Sequence, residues 1–386
     1  MPDPSSTWPA AVPAALPADL PAAPAGPASA AETALHYPLA DSLPQVGCSL
    51  EVAPGLRWVR MALPFALDHI NLWLLRDRLD GREGWSVVDC GIDDEATRAA
   101  REQVFSHELQ GLPVLRVLVT HMHPDHIGLA HWITERWSTA DQACRLWISS
   151  TDWHAAQMAS QGIGGAGGDM AADFFRLHGL MDAAVLAQVR QRRGHYAGMV
   201  PQVPARYRRL MDGLDVAIGG TGWRSLAGYG HAPEHISLHS PAQGVLISGD
   251  MVLPRISTNV SVYPMEPEAD VLTLFLNSLE RLRTLPAGTL VLPSHGRPFR
   301  GLHTRIVQLQ AHHEARLAEA RDACAARPST AADLLPVLFR RTLDLHQTTF
   351  AMGEAVAHVH ALWTRGRVTP EDGRDGVRRW RATTPA

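Results

Sequence analysis

Three histidines and an aspartate fall within the six residues HMHPDH, 121–126. His121 and His123 alternate, so an extended backbone puts both on one side. Asp125 and His126 follow where the chain turns toward a helix. Neutral imidazole and carboxylate are suitable ligands for zinc or iron. Four donors packed this closely cannot all serve one tetrahedral ion. They suit two neighbouring ions, one taking His121 and His123, the other Asp125 and His126. Two ions need more ligands, and three further segments end in a lone ligand-type residue. His231 follows AGYG, Asp250 ends GVLISGD, and His295 ends TLVLPSH. An apolar strand closing in a metal-binding side chain therefore occurs four times.

The surrounding pattern supplies elements to carry these residues. Residues 46–89 read as short β-strands: LRWVRMAL, HINLWLLR and WSVVD are rich in β-branched and aromatic side chains. Residues 93–110 read as a helix with an acidic start. LPVLRVLVT, 112–120, reads as a buried strand delivering the histidine cluster. A helix through HIGLAHWITERW and a strand at RLWISS follow. Residues 151–212 have helical periodicity and read as an insertion over one sheet edge. Strands resume at WRSLAGYG, ISLHS and GVLISGD, then a helix at 268–284 and a strand at TLVLP. Strands dominate early and alternate with helices later, as in a layered α/β domain. Residues 302–386 read as three helices and a short hairpin, the layout of a small winged-helix module.

HMHPDH, GHAPEH, SGD and PSHG, in that order, resemble the metallo-β-lactamase fold superfamily in its dinuclear, glyoxalase II-like branch, over about residues 46–300. VVDCGID, with Asp89, resembles that family's first motif. The resemblance implies an α/β, four-layer αββα fold with a helical insertion and a C-terminal winged-helix-like module. It implies one metal on His121, His123 and His231, a second on Asp125, His126 and His295, and Asp250 bridging them. The cofactors implied are two divalent ions, zinc first, with iron or manganese also suited. Asp89 is then a supporting residue that hydrogen-bonds the metal loop. The chemistry implied is hydrolysis of a thioester, ester or lactone by a metal-bound hydroxide, with Asp125 holding the second metal and orienting the nucleophile. No basic cluster matches the glutathione-binding residues of glyoxalase II. The hydroxyacylglutathione hydrolase-like reading therefore extends to acyl-CoA or another small acyl partner.

Two alternatives use the same residues differently: a metal-dependent endoribonuclease, or a winged-helix nucleic-acid-binding regulator with a degenerate site. Against both, the net charge is −4, and residues 302–386 mix acids with arginines. The tail is read instead as shaping the substrate site or a homodimer. All 35 basic side chains are arginine, since the chain has no lysine. Residues 1–45, rich in proline and alanine, read as a disordered arm without a secretory leader, and no apolar run is long enough for a membrane span. That places the protein in the cytoplasm. The four cysteines are widely spaced and read as buried free thiols. His235 reads as a packing residue, and His312 and His313 as part of a solvated helix face. GIGGAGG reads as a hinge or lid. Asp68 and His69 border the site or form a buried polar pair.

Overall fold

The computed structural model describes residues 30–65, 67–164 and 167–383. Most of the arm (1–29), and Gly165 and Ala166 of the glycine-rich hinge, lie outside them. Residues 30–45, expected to belong to the arm, are docked instead. After the single turn α1 (Ala30–Thr33), Leu35 is buried, His36 bridges to Arg300, and Asp41 pairs with Arg297 at 2.6 Å. A leucine with a core to enter and a backbone that pairs with Arg300 override the proline-rich context.

Two sheets form the centre. The first runs in spatial order β1 (Ser49–Ala53), β2 (Leu56–Ala62), β3 (His69–Leu79), β4 (Arg82–Val88), β5 (Val114–Leu118), β6 (Arg145–Ser149) and β7 (Tyr207–Leu210). Its first four strands are antiparallel neighbours, and β4 to β7 are parallel. The second contains β8 (Asp215–Ile218), β9 (Thr221–Gly228), β10 (His235–Ser240), β11 (Val245–Gly249) and β12 (Leu290–Pro293), ordered 12-11-10-9-8. Trp58, Trp73, Val88 and Leu118 from the first sheet meet Trp223, Ile236, Ile247 and Leu292 from the second in one buried layer.

Helices cover both outer faces. On the first sheet lie α2 (Glu95–His107), the single turn α3 (Pro124–Ile127), α4 (Ala130–Trp137) and α5 (Ser150–Ser160). Asp94 starts α2 by accepting from the Thr97 N–H at 2.7 Å. The helix expected from His126 to Trp137 is split at Gly128, which sits so near the Gly91 carbonyl that a Cβ would lie 2.6 Å from its oxygen. On the second sheet lie α6 (Asp169–Leu177), α7 (Ala183–Gln191), α8 (Val271–Leu282), α9 (Leu302–Ala326), α10 (Ala331–Leu338) and α11 (Leu345–Thr364). A hairpin of β13 (Val368–Asp372) and β14 (Arg378–Ala382) closes the chain. The result is the four-layer helix–sheet–sheet–helix arrangement.

Three further expectations change. Strands β7 and β8 were not anticipated, because YRRL and DVAI lie at sheet edges with half their side chains in water and so carry a weak apolar signal. His313 is not on a solvated face. It shares the buried stripe Leu309–His313–Leu317 of α9 and packs against Phe275 and His358, with ring centroids 5.8 and 5.6 Å away. Only His312 of that pair is exposed. Cys90, Cys144 and Cys324 are buried, whereas Cys48 is half-buried, and all four are free. No helix among the described residues is long and apolar enough to cross a membrane.

Candidate metal centre

The seven donors named from sequence converge at one end of the two sheets. His121, His123, Asp125 and His126 come from the segment after β5, His231 from the turn after β9, Asp250 from the end of β11 and His295 from the end of β12. Their ligand atoms form three overlapping groups: His121–His123–His231, His121–His126–Asp250 and Asp125–His126–His295. Within each group the donor atoms lie within 4.8 Å of one another. Asp250 sits between the outer two. Its Oδ2 is 3.3 Å from His231 Nε2, and its Oδ1 is 3.6 Å from His126 Nε2 and 3.4 Å from His295 Nε2. Asp125 Oδ2 is 3.4 Å from His295 Nε2.

Partners behind the rings aim the donors inward. His231 Nδ1 donates to the Asn259 carbonyl at 2.8 Å, and His295 Nδ1 to the His69 carbonyl at 2.7 Å. His126 Nδ1 donates to Asp89 at 2.8 Å. A carbonyl or carboxylate oxygen only accepts, so each Nδ1 carries a proton and each Nε2 turns a lone pair to the centre. His121 Nε2, His123 Nδ1 and His231 Nε2 crowd together, with 2.9 and 3.1 Å separating neighbours. Lone pairs at that spacing need a cation or proton among them. His126 Nε2 and Asp250 Oδ1 are buried without a hydrogen-bond partner among the described residues. Buried polar atoms are normally satisfied, so donor chemistry and orphaned atoms both fit divalent metal.

The electrostatics agree. Burial pushes His121 and His123 well below the usual imidazole range, and neighbouring histidines push them further. Burial would also lower His126, but the carboxylates of Asp125, Asp89 and Asp250 outweigh it and hold the ring well above that range. Burial would raise Asp250, yet His295 and His126 keep its carboxyl well below the usual carboxylate range.

A family model described as the Metallo-beta-lactamase superfamily matches residues 66–295, spanning HMHPDH, GHAPEH, SGD and the final PSH. The chain belongs to the metallo-beta-lactamase superfamily. A second model, Metallo-beta-lactamase-like, C-terminal domain, matches residues 317–383. A crystal structure of a beta-lactamase domain protein from Burkholderia ambifaria is 55% identical, covering 92% of this chain and 100% of that one, with a TM-score of 0.87. The probable metallo-hydrolase YqjP of Bacillus subtilis (strain 168) is 24% identical over 331 residues, 81% of this chain and 93% of its own length. A linear primary-alkylsulfatase of Pseudomonas sp. is 24% identical over 235 residues, 58% of this chain and 41% of its own length. Metallo-beta-lactamase folds typically hold divalent metals, and this chain is a metallo-hydrolase of that superfamily.

The remaining residues of the superfamily motifs have supporting places. His235 is not aimed at the ion groups. Its Nε2 accepts the Asp250 N–H at 3.1 Å and lies against Gly249, where a Cβ would be 2.2 Å away; Gly249 also has φ +54°. Asp89, at φ +60°, accepts from the Thr120 N–H at 2.8 Å and the Thr120 hydroxyl at 2.9 Å as well as from His126. Asn tolerates that left-handed backbone. Asp89→Asn is therefore expected to fold and to lose about 10- to 100-fold in metal affinity, as supporting partners of metal ligands do. Competition against a chromogenic chelator measures this, and unchanged affinity would remove Asp89 from the role.

Other supports had little sequence signal. Buried Asp152 accepts from the N–H groups of Met122 at 2.8 Å and Glu234 at 2.7 Å, tying two ligand-bearing segments together. Burial lifts its carboxyl to about 6 against those donors. His69, noted as bordering the site, buttresses it: besides its carbonyl contact with His295, its Nε2 accepts the Gly296 N–H at 2.8 Å.

From α11, half-buried Glu354 accepts the Asn259 amide at 3.1 Å, and so backs the residue that orients His231. Burial raises the Glu354 carboxyl from an ordinary 4.5 to about 7. Between these values the folded chain keeps a proton that the unfolded chain releases, so this contribution to stability is complete below about 4.5 and gone above about 7. Glu354→Gln has no such proton. Between pH 5 and pH 8 the wild-type melting temperature should fall a few degrees further than the variant's. Parallel melts test this, and equal falls would contradict the buried titration.

Proposed function

We propose that the protein hydrolyses a thioester, ester or lactone at a dinuclear centre, in the manner of glyoxalase II-like enzymes. His121, His123 and His231 would hold one divalent ion, zinc being the first candidate. Asp125, His126 and His295 would hold the other, with Asp250 between them. When bound, such ions supply Lewis acidity and activate water at neutral pH. The chain orients the ligands through Asp89, Asn259 and the His69 carbonyl. Asp125, its side chain 18% exposed against 10% for Asp250, is the carboxylate best placed to accept a hydrogen bond from an incoming water. The single observation carrying this reading is Asp250 lying between two donor groups while His126 Nε2 and Asp250 Oδ1 lack hydrogen-bond partners among the described residues.

The arginines of the closing hairpin support a small-molecule substrate over nucleic acid. Arg378 pairs with Asp372, Arg379 with Asp375 and Arg381 with Glu371, each at 2.6 or 2.7 Å. Paired guanidiniums make a poor phosphate track. We read the three helices and hairpin as a winged-helix-like module that shapes the substrate site. A sulfate ester is the second reading, carried by the likeness to the alkylsulfatase.

The test combines metal analysis with a panel of acyl thioesters, esters, lactones, alkyl sulfates and single-stranded RNA. About two metals per chain with turnover of an acyl substrate is the expected result. Turnover of alkyl sulfate alone moves the assignment to the second reading, and turnover of RNA alone overturns both.

A further inference from the structure

Away from the metal ligands, three distant segments meet at Arg192, His346 and Phe65. Arg192 follows α7, His346 lies in the first turn of α11, and Phe65 lies between β2 and β3. Arg192 Nη2 donates to His346 Nδ1 at 2.8 Å. Phe65 stacks on the His346 ring, with centroids 5.7 Å apart and planes 12° apart, and Phe350 meets it edge-on at 4.9 Å. An imidazole accepting from a guanidinium is neutral, so Arg192 keeps an uncompensated charge. Among the described residues it has no ion-pair partner, whereas Arg190, two positions earlier, faces Asp169 at 3.6 Å and Asp173 at 3.4 Å. Asp344 is the carboxylate whose charge acts on Arg192, and its side chain is occupied capping α11, where it accepts the Gln347 N–H at 2.8 Å.

Each segment runs on to the metal centre four residues later. After Phe65 comes His69, whose carbonyl orients His295. After Arg192 comes Tyr196, whose hydroxyl donates to the carbonyl of Met122, between His121 and His123. After His346 comes Phe350, whose carbonyl accepts from Ser261, and Ser261 also donates to the Asn259 side chain. A half-buried guanidinium with no carboxylate partner among the described residues, bonded to a histidine that two aromatic rings flank, on segments that lead to the candidate ligands, suits an oxyanion joined to an apolar chain.

We propose that Arg192, His346 and Phe65 form the substrate-recognition site, where Arg192 takes a carboxylate, sulfate or phosphate group of the substrate and the rings of Phe65 and Phe350 take its carbon chain. This rests on the metal centre being the hydrolytic site. The test is calorimetric titration of the metal-loaded protein with hexanoate, hexyl sulfate and hexyl phosphate, and with neutral hexanamide. The wild type should favour at least one oxyanion over the amide, and the tightest of the three identifies the group. Arg192→Met should reduce that preference about tenfold or more. Arg192→Lys should keep part of it, and Arg190→Ala all of it, with metal content equal in every variant. An undiminished preference in Arg192→Met, or none in the wild type, overturns the proposal. A preference that depends on Arg192 in a protein inert on the whole hydrolysis panel sustains this site and sinks the hydrolytic reading instead.

Discussion

Asp250→Ala is expected to lower kcat/KM by at least about a thousandfold and to reduce metal content below two per chain. Asp250 reaches both donor groups, with Oδ2 toward His231 and Oδ1 toward His126 and His295. No other carboxylate among the described residues stands between them. Its removal also takes away the carboxylate that faces both His126 and His295. Metal Lewis acidity is worth several kcal/mol of transition-state stabilisation, and each 1.36 kcal/mol is tenfold in rate, so about 4 kcal/mol gives the stated factor. Asp250→Asn keeps one acceptor oxygen and should fall less. Steady-state kinetics with metal analysis decide the matter. Near-native turnover with two ions bound in Asp250→Ala would show that the centre does not depend on this carboxylate.

Asp77→Ala carries the largest expected effect on stability. The Asp77 side chain is fully buried and accepts from Arg116 Nε at 3.0 Å and Nη2 at 2.8 Å, from Ser86 Oγ, and from the Gly219 N–H at 2.9 Å. Arg116 also donates to the Ala217 carbonyl and lies over the Trp147 ring, 4.7 Å from its centroid. This group joins β3, β4 and β5 of the first sheet to the β8–β9 turn of the second. Removing one partner leaves a guanidinium buried without its counter-charge, which costs about 3–5 kcal/mol. Urea denaturation should show that loss, and Asp77→Leu combined with Arg116→Met should recover much of it, because no charge is left stranded. A loss below about 1 kcal/mol in the single variant would mean that water reaches Arg116 and relieves it.

The sequence made the candidate ligands legible because each is announced locally. An apolar strand such as VLVT or GVLIS must be buried, and a histidine or aspartate at its end is then conspicuous. The supporting residues carry no such mark. Asp152 looks like an ordinary helix-start aspartate, Asn259 acts through its backbone carbonyl, and Glu354 lies 95 positions from the residue it holds. Nor does periodicity reveal that His313 is enclosed, since α9 is covered by neighbours supplied both before and after it in the chain. Sequence alone determined the superfamily, the strand ends that matter and the seven candidate side chains that converge there. Tertiary structure decided that Asp250 stands between two donor groups, that His235 backs Asp250 without joining them, and that Arg192 and Phe65 both meet His346. Strand burial is written in neighbouring residues, whereas the meeting of donors depends on how two sheets and the C-terminal helices pack, and that packing joins residues far apart in the chain, as His121 and His231 are.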